Sequence, residues 1–257
     1  MNYNIPYIPN RLSKPRDNGI TMMMDKGLSV REAEEFVKSS GDFTDFVKLG
    51  FGTALITKDL KDKLKVYRDG KIRPYFGGTL FELFYVRDMF DHFREFVSSC
   101  DLDLVEVSDG TVDIDHDKKL ECIEILTHEF QVLSEVGSKL AGVIIPVEKW
   151  VNMMQAELNA GSWKVIAEAR ESGTIGIYNP DGSANVELVR DITKNINHRD
   201  IIWEAPLKNQ QVYFIKMLGA NVNLGNIAPG EVFAMETLRL GLRGDTIKDF
   251  LPDSLQQ

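Results

Sequence analysis

The chain has 257 residues, 43% of them apolar, with 39 acidic against 30 basic residues and a formal net charge of −9. That length buries a large core without disulfide or metal staples, and that charge argues against a general nucleic-acid surface. No apolar run approaches the roughly 18 residues that span a bilayer. The first 19 residues hold three prolines and several basic residues but no apolar core of a secretory signal, so a cytoplasmic protein is expected.

Eight short apolar runs follow, each ending in charged, polar or glycine residues. In chain order they read ITMMMDKG (20–27), DFVKLGFGT (45–53), IRPYFGGTLFE (72–82), LVEVSDG (104–110), QVLSEVGSK (131–139), KVIAEARESG (164–173), IIWEAP (201–206) and NVNLGNI (221–227). Helical periodicity fills the gaps. Ser29-Val30-Arg31-Glu32 matches a capping box, after which Val30, Ala33, Phe36 and Val37 form one face up to Gly41. Val86, Met89, Phe90, Phe93 and Val97 repeat the spacing after the third run. Val147, Trp150, Val151, Met154 and Leu158 do so after the fifth, between Pro146 and Gly161. Residues 174–200, around Asn179-Pro180-Asp181-Gly182, read as a turn and a short, weakly patterned helix. Val212, Ile215 and Leu218 precede Gly219, and Val232, Met235, Leu238 and Leu242 follow the eighth run. Strand and helix alternating eight times in about 250 residues predicts a parallel, closed (β/α)8 barrel, with an arm at 1–19, the barrel at 20–246 and a tail at 247–257.

In such barrels chemistry gathers at the carboxyl ends of the strands, where Lys26, Lys48, Glu106, Glu135, Lys139, Glu168, Arg170 and Glu204 fall. Glu168 and Arg170 are two apart and share a face, while Val165, Ala167 and Ala169 take the other. The same period pairs Glu106 with Ser108. Charges clustered inside a packed barrel are costly unless they have partners or a task. Glycine-rich stretches after the strands (Gly50, Gly52 and Thr53; Gly77, Gly78 and Thr79; Gly173; Gly225 and Asn226) let backbone N–H groups approach an anion. Arg239 and Arg243 are four apart and share a face if the last helix continues through both, which makes phosphate binding plausible.

Several chemistries find no support. There is no phosphate-binding loop, no dinucleotide fingerprint, no HExxH and no Ser–His–Asp grouping. His92, His116, His128 and His198 lie away from the strand ends, and Cys100 and Cys122 lack metal-ligand spacing and read as free thiols. Carboxylates without histidine or thiolate point to magnesium rather than zinc. A proton donor must then be a lysine or a carboxyl group, and Lys139 after the fifth strand is well placed.

The ordered strings identify the chain as resembling the phosphosulfolactate synthases from about Gly19 to Thr246. They are Thr21 with Asp25-Lys26-Gly27, GDFTDFVKLGFGT, GGTLFE at 77–82, VEVSDG at 105–110 and SEVGSK at 134–139. ARESG at 169–173, EAPLKNQQ at 204–211, NVNLGNI at 221–227 and ETLRLGLRGDT at 236–246 continue the series. The resemblance implies a (β/α)8 enzyme that adds sulfite to phosphoenolpyruvate with Mg²⁺, giving (2R)-phospho-3-sulfolactate. That step opens coenzyme M biosynthesis in methanogens and leads to sulfolactate in some bacteria. It further implies small anionic substrates, no nucleic-acid or membrane partner, and compatibility with a homo-oligomer.

By the same resemblance, the family's general acid, the lysine closing its Gly-Lys-Lys motif, falls on Lys139. Glu106, Glu135 and Glu168 are expected around magnesium, with Asp25 as the rival ligand. Lys26, Lys48 and Arg170 are expected to bind phosphate or sulfite, joined by Arg239 and Arg243. The chain departs from the family at Gly137-Ser138-Lys139, which has one cation fewer than Gly-Lys-Lys, and more mildly at Glu168-Ala169-Arg170 and Gly50-Phe51-Gly52-Thr53. Plant heat-stress-associated proteins share the family. Two other readings therefore stay open: a barrel lyase acting on another phosphorylated carboxylate, and a non-catalytic protein of stress tolerance.

Overall fold

A computed structural model describes residues 2–137, 145–170 and 172–256. Among them, eight parallel strands form one sheet in the order β3-β2-β1-β8-β7-β6-β5-β4. The strands are β1 (Thr21–Asp25), β2 (Phe46–Leu49), β3 (Arg73–Phe76), β4 (Leu104–Val107), β5 (Gln131–Val136), β6 (Lys164–Ala167), β7 (Ile201–Glu204) and β8 (Leu224–Ile227). Between and after them lie α1 (Val30–Ser40), α2 (Leu60–Asp69), α3 (Gly78–Tyr85), α4 (Phe90–Ser99), α5 (His116–Thr127), α6 (Val147–Asn159), α7 (Val186–Asn195), α8 (Lys208–Leu218) and α9 (Val232–Arg239). This is the expected (β/α)8 barrel, nearly closed: the described residues show backbone ladders at every joint except β3–β4.

Period-two alternation builds the barrel in layers. Met22, Phe46, Tyr75, Leu104, Leu133, Ile166 and Ile202 point inward and pack together. Their neighbours Met23, Val47, Phe76, Val105, Val132, Val165 and Ile201 point outward beneath the helices. The next inward positions toward the carboxyl ends are Met24, Lys48, Glu106, Glu135, Glu168 and Glu204, so a polar layer rests on an apolar one. A bulge interrupts β8: Thr21 pairs with Leu224 and Met23 with Ile227. Within the extra residue's span Asn226 takes φ 57° and turns toward the top of the barrel.

Several helices differ from the periodic reading. Capping of α1 by Ser29 and Glu32 is as expected. The third unit carries two helices rather than one: α3 starts at Gly78, directly after the strand, and the chain breaks at Val86–Met89, where Asp88 takes φ 56°. Val86 is C-terminal to α3 and exposed, so it does not extend the stripe of Phe93 and Val97. Within 174–200, α7 is capped by Asn185 and buries Leu188, Val189 and Ile192, a firmer pattern than expected. Helix α9 ends at Arg239, with Gly241 at φ 65° reversing the chain, so Arg239 and Arg243 do not share a helix face.

The amino end of the barrel is tied by arginines. Arg239 is fully buried and donates to the main-chain oxygens of Ala220 (2.7 Å), Val222 (2.6 Å) and Ile20 (3.1 Å), which precede β8 and β1. Arg11 from the N-terminal arm pairs with Glu236 at 2.9 Å and also reaches Ala220 and Gly19. Arg16 binds Asp45, which itself accepts from the Thr21 N–H at 2.8 Å. Replacing Arg239 with methionine leaves three buried carbonyls without that donor, and we expect a loss of about 3 kcal/mol in unfolding free energy. Urea denaturation checks this, and an unchanged midpoint would count against the clamp.

Candidate active site

Lysine is an expensive residue to put inside a barrel, and Lys48 is there because β2 turns it inward between the outward Val47 and Leu49. Its ammonium lies 2.8 Å from Glu106, 2.9 Å from Glu135 and 3.5 Å from Glu204, which come from β4, β5 and β7. All four side chains are buried. Burial alone disfavours the charge, but the carboxylates of Glu106, Glu135 and Glu204 outweigh it and hold the ammonium well above the usual lysine range. The three carboxylates thus favour the charged form of Lys48. Below it, Tyr75 is held neutral by burial and by the Glu106 carboxylate, which push the phenol well above its usual range.

The remaining contacts lock this layer in place. Glu204 accepts from the Ala169 N–H at 2.9 Å and from the Asn226 amide at 3.5 Å. Asn226 also donates to the Ala169 carbonyl at 3.2 Å. Ser108 bridges Glu82 (2.6 Å) and Glu135 (3.1 Å), and Thr111 donates its hydroxyl to Glu82. At the unladdered β3–β4 joint, Glu106 accepts from the Gly78 N–H at 2.5 Å. A Cβ on Gly78 would sit 2.2 Å from the Ser108 Cβ, so only glycine allows this approach.

Above the layer opens a cavity of about 430 Å³, the size of a small-metabolite site. Lys48, Glu135, Glu168, Glu204 and Asn226 line its floor, with Arg170, Gly50, Gly77, Thr79 and Thr111 around them. Arg170 is exposed and stands next to buried Glu168 by way of Ala169. The site therefore offers small anions a guanidinium and an ammonium, set among several carboxyl groups.

Of the residues singled out from the sequence, Lys48, Glu106, Glu135, Glu168 and Arg170 come together here. Glu106 lies beneath the floor, whereas the other four line the cavity. Asp25 does not join them: one oxygen accepts from the N–H groups of Gly27 and Leu28, the other from Tyr67 and buried Lys63, so it organises the turn after β1. Lys26 is exposed beside a separate depression lined by Ser29, Thr53 and Ile56. Arg239 sits at the opposite end of the barrel, consumed by three carbonyls, and Arg243 lies past the last helix with its Nε 3.7 Å from Asp245. Lys139 falls outside the described residues. The sequence reading omitted Glu82, because it belongs to α3 rather than to a strand end, although it closes the GGTLFE string. Ser108 and Asn226 were visible only as polar residues near strand ends.

Among the described residues no three acidic, histidine or cysteine side chains are disposed to hold a metal. The reason is local: the Lys48 ammonium occupies the point on which Glu106, Glu135 and Glu204 converge. The donor set still suits magnesium, which commonly takes one or two carboxylates and completes its shell with water and substrate oxygens. Glu168 and Glu135 border the open cavity and could serve. Thiol chemistry has no support, since burial pushes Cys122 up to about 11 and also raises Cys100. No helix among the described residues is long and apolar enough to cross a membrane.

The family model for (2R)-phospho-3-sulfolactate synthase (ComA) matches residues 9–245. The chain is 42% identical over 245 residues to a phosphosulfolactate synthase of Methanothermobacter thermautotrophicus, covering 93% of this chain and 95% of that protein. It is 39% identical over 242 residues to a phosphosulfolactate synthase of Bacillus subtilis, covering 93% and 96%. Among solved structures, 3-hexulose-6-phosphate synthase from Salmonella typhimurium aligns with a TM-score of 0.55 and 14% identity over 85% of this chain and 97% of that one. Likeness at that identity concerns the barrel alone.

Lys48→Met would leave Glu106, Glu135 and Glu204 facing one another, and we expect it to destabilise the protein by about 3–5 kcal/mol at neutral pH. Because the folded-state pKa of Lys48 is raised, its contribution is fully present below the ordinary value of 10.5 and is lost as pH rises through the folded value. The stability gap between wild type and variant should therefore persist from neutrality to about 10.5 and narrow as pH rises from there through the folded value. Denaturation at several pH values measures this; a gap that narrows near neutrality would be inconsistent with the assignment.

Proposed function

Because the chain belongs to the phosphosulfolactate synthase family of lyase-type enzymes, we propose that it adds sulfite to phosphoenolpyruvate to give (2R)-phospho-3-sulfolactate. The observation that supports this reading most directly is the Lys48 ammonium, held by three carboxylates at the floor of a cavity that Arg170 also lines. Two cations of different reach suit a substrate with a phosphate at one end and a carboxylate at the other. Arg170, exposed and able to fork two N–H donors, takes the phosphate or sulfite oxygens. Lys48 faces the carboxylate, onto which charge moves as the reaction proceeds.

In the proposed step the sulfur lone pair of sulfite forms a bond to the methylene carbon C3. The π electrons of the C2–C3 double bond move toward C2 and the carboxylate, and a proton added at C2 completes the product. Lys48 is held among Glu106, Glu135 and Glu204, and we assign the proton donor at C2 to Lys139, where the family's lysine falls. A proton delivered from one fixed side sets the R configuration. Glu106, Glu135 and Glu204 surround the one ammonium and Glu168 adds a fourth carboxyl group to the cavity, so a site for two anions needs more positive charge than these residues supply. Magnesium, bound by Glu168 and Glu135, would supply it by stabilising the negative charge that develops on the substrate carboxylate, an effect worth several kcal/mol. Glu106, which does not line the cavity, is better placed to hold the lysine than to hold a metal.

Purified protein given phosphoenolpyruvate, sulfite and Mg²⁺ should form a product with the mass of phosphosulfolactate, and EDTA should abolish it. Folded protein that makes none under both conditions overturns the reaction. Lys139→Ala should lower turnover by about 10²–10⁴-fold without changing the melting temperature; near-normal turnover removes Lys139 as the acid. Glu168→Gln should raise the magnesium concentration for half-maximal activity about tenfold or more, and an unaltered metal titration takes Glu168 out of the ligand set.

A further inference from the structure

Backbone pairing between β4 and β5 ends one step too early to hold the site. The ladder runs from Leu104 opposite Gln131 to Val107 opposite Ser134. Ser108 and Glu135, which meet at 3.1 Å in the floor of the cavity, lie just beyond its last pair. On the other side of β4 the described residues show no ladder at all. Glu82 and Gly78 hold Ser108 on the β3 side, and the β5 side needs a restraint of its own if Ser108 and Glu135 are to keep their spacing.

Lys119, reaching in from α5 on the outer side of the sheet, is placed to provide it. Its side chain is completely buried. The ammonium contacts three segments: the Asp109 carboxylate at 2.8 Å, the Glu135 main-chain oxygen at 2.6 Å and the Glu157 carboxylate of α6 at 2.8 Å. Three donors meet three acceptors, so each proton of the ammonium has a partner. Asp109 directly follows Ser108. The two residues that meet inside the barrel are therefore fastened from outside by one cation, through the neighbour of one and the backbone of the other. Glu135 passes this placement on, because its carboxylate also holds Lys48 at 2.9 Å. Glu157, fully buried, balances the lysine on the side away from the cavity, and His116 approaches the same oxygen at 3.4 Å.

We propose that Lys119 is a positioning residue for the active site, a staple that continues the β4–β5 joint past the end of its ladder and sets the Ser108–Glu135–Lys48 geometry. The proposal rests on the site reading above but reaches the chemistry only through these residues. Lys119→Met strands two carboxylates, so the companion variant Lys119→Met/Glu157→Gln, which also removes the balancing charge, carries the test if the single variant folds poorly.

In the double variant, amide hydrogen exchange over residues 108–111 should rise about tenfold or more, while β1 and β8 exchange as in the wild type. Turnover should fall about tenfold or more with KM values for both substrates within roughly threefold, the signature of misplaced groups rather than lost binding. Glu157→Gln alone keeps the tie to Asp109 and Glu135, so it should lower the melting temperature while turnover stays within roughly threefold of wild type. Unchanged exchange at 108–111 in the folded double variant overturns the proposal. So does a loss of turnover in Glu157→Gln equal to that in the lysine variants, which marks general destabilisation. If the wild type forms no phosphosulfolactate, the proposed reaction fails, and the exchange comparison still decides the staple.

Discussion

An ammonium group removed from water inside a β-barrel is stable only if carboxylates surround it, and much of this structure serves that requirement. Lys48 draws Glu106, Glu135 and Glu204 toward one point from three strands. The carboxylates need further donors of their own. Glu106 takes the Gly78 N–H, Glu135 the Ser108 hydroxyl, and Glu204 the Ala169 N–H. Buried charges of this kind add little net stability over apolar packing, and their loss one at a time is severe. Beneath them the apolar layer of Met22, Phe46, Leu104, Leu133, Ile166 and Ile202 supplies ordinary core stability, about 1.5–3 kcal/mol per large side chain buried. Apolar stability thus comes from this layer and from the larger core between strands and helices, and the upper layer is shaped by electrostatics.

The two ends of the barrel solve opposite problems. At the amino end, strand-start carbonyls are gathered by Arg239, Arg11 and Lys14, and carboxylates appear as their partners. At the carboxyl end, carboxyl groups dominate and lysines act as counter-ions from outside the barrel as well as within it. Lys63 from α2 fixes Asp25 and the Leu28 carbonyl, much as Lys119 from α5 fixes Asp109 and the Glu135 carbonyl. Both reach the turns behind strands β1 and β4–β5 without entering the cavity. The repetition explains why so acidic a chain spends buried lysines on its helices. They hold the loops that carry the site.

The unladdered joint between β3 and β4 shows how side chains replace backbone pairing. Gly78 approaches Ser108 too closely for any Cβ, and this contact brings the Gly78 N–H onto Glu106. Glu82, one turn further along α3, then reaches Ser108 and Thr111. A helix residue thereby enters a floor otherwise built from strand ends. The short strand and immediate helix start at Gly78 make this reach geometrically available.

The eight strands were legible in the amino-acid sequence because alternation of apolar and polar residues is imposed locally by the pleat, and so was the inward direction of Lys48, Glu106, Glu135 and Glu168. The ordered motifs carried the family and the barrel class. Local pattern could not separate Glu106, which props Lys48, from Glu168, which faces the cavity, since both are glutamates at inward positions of strand ends. Nor could it show that Asp25 and Arg239 are committed elsewhere. Their partners, Lys63 and Tyr67 for the first and the Ile20, Ala220 and Val222 carbonyls for the second, lie tens to hundreds of residues away. A side chain's direction is set by its own backbone, and its role is set by what the folded chain places opposite it. Period and punctuation decided the former here, and only tertiary closure of the barrel decided the latter.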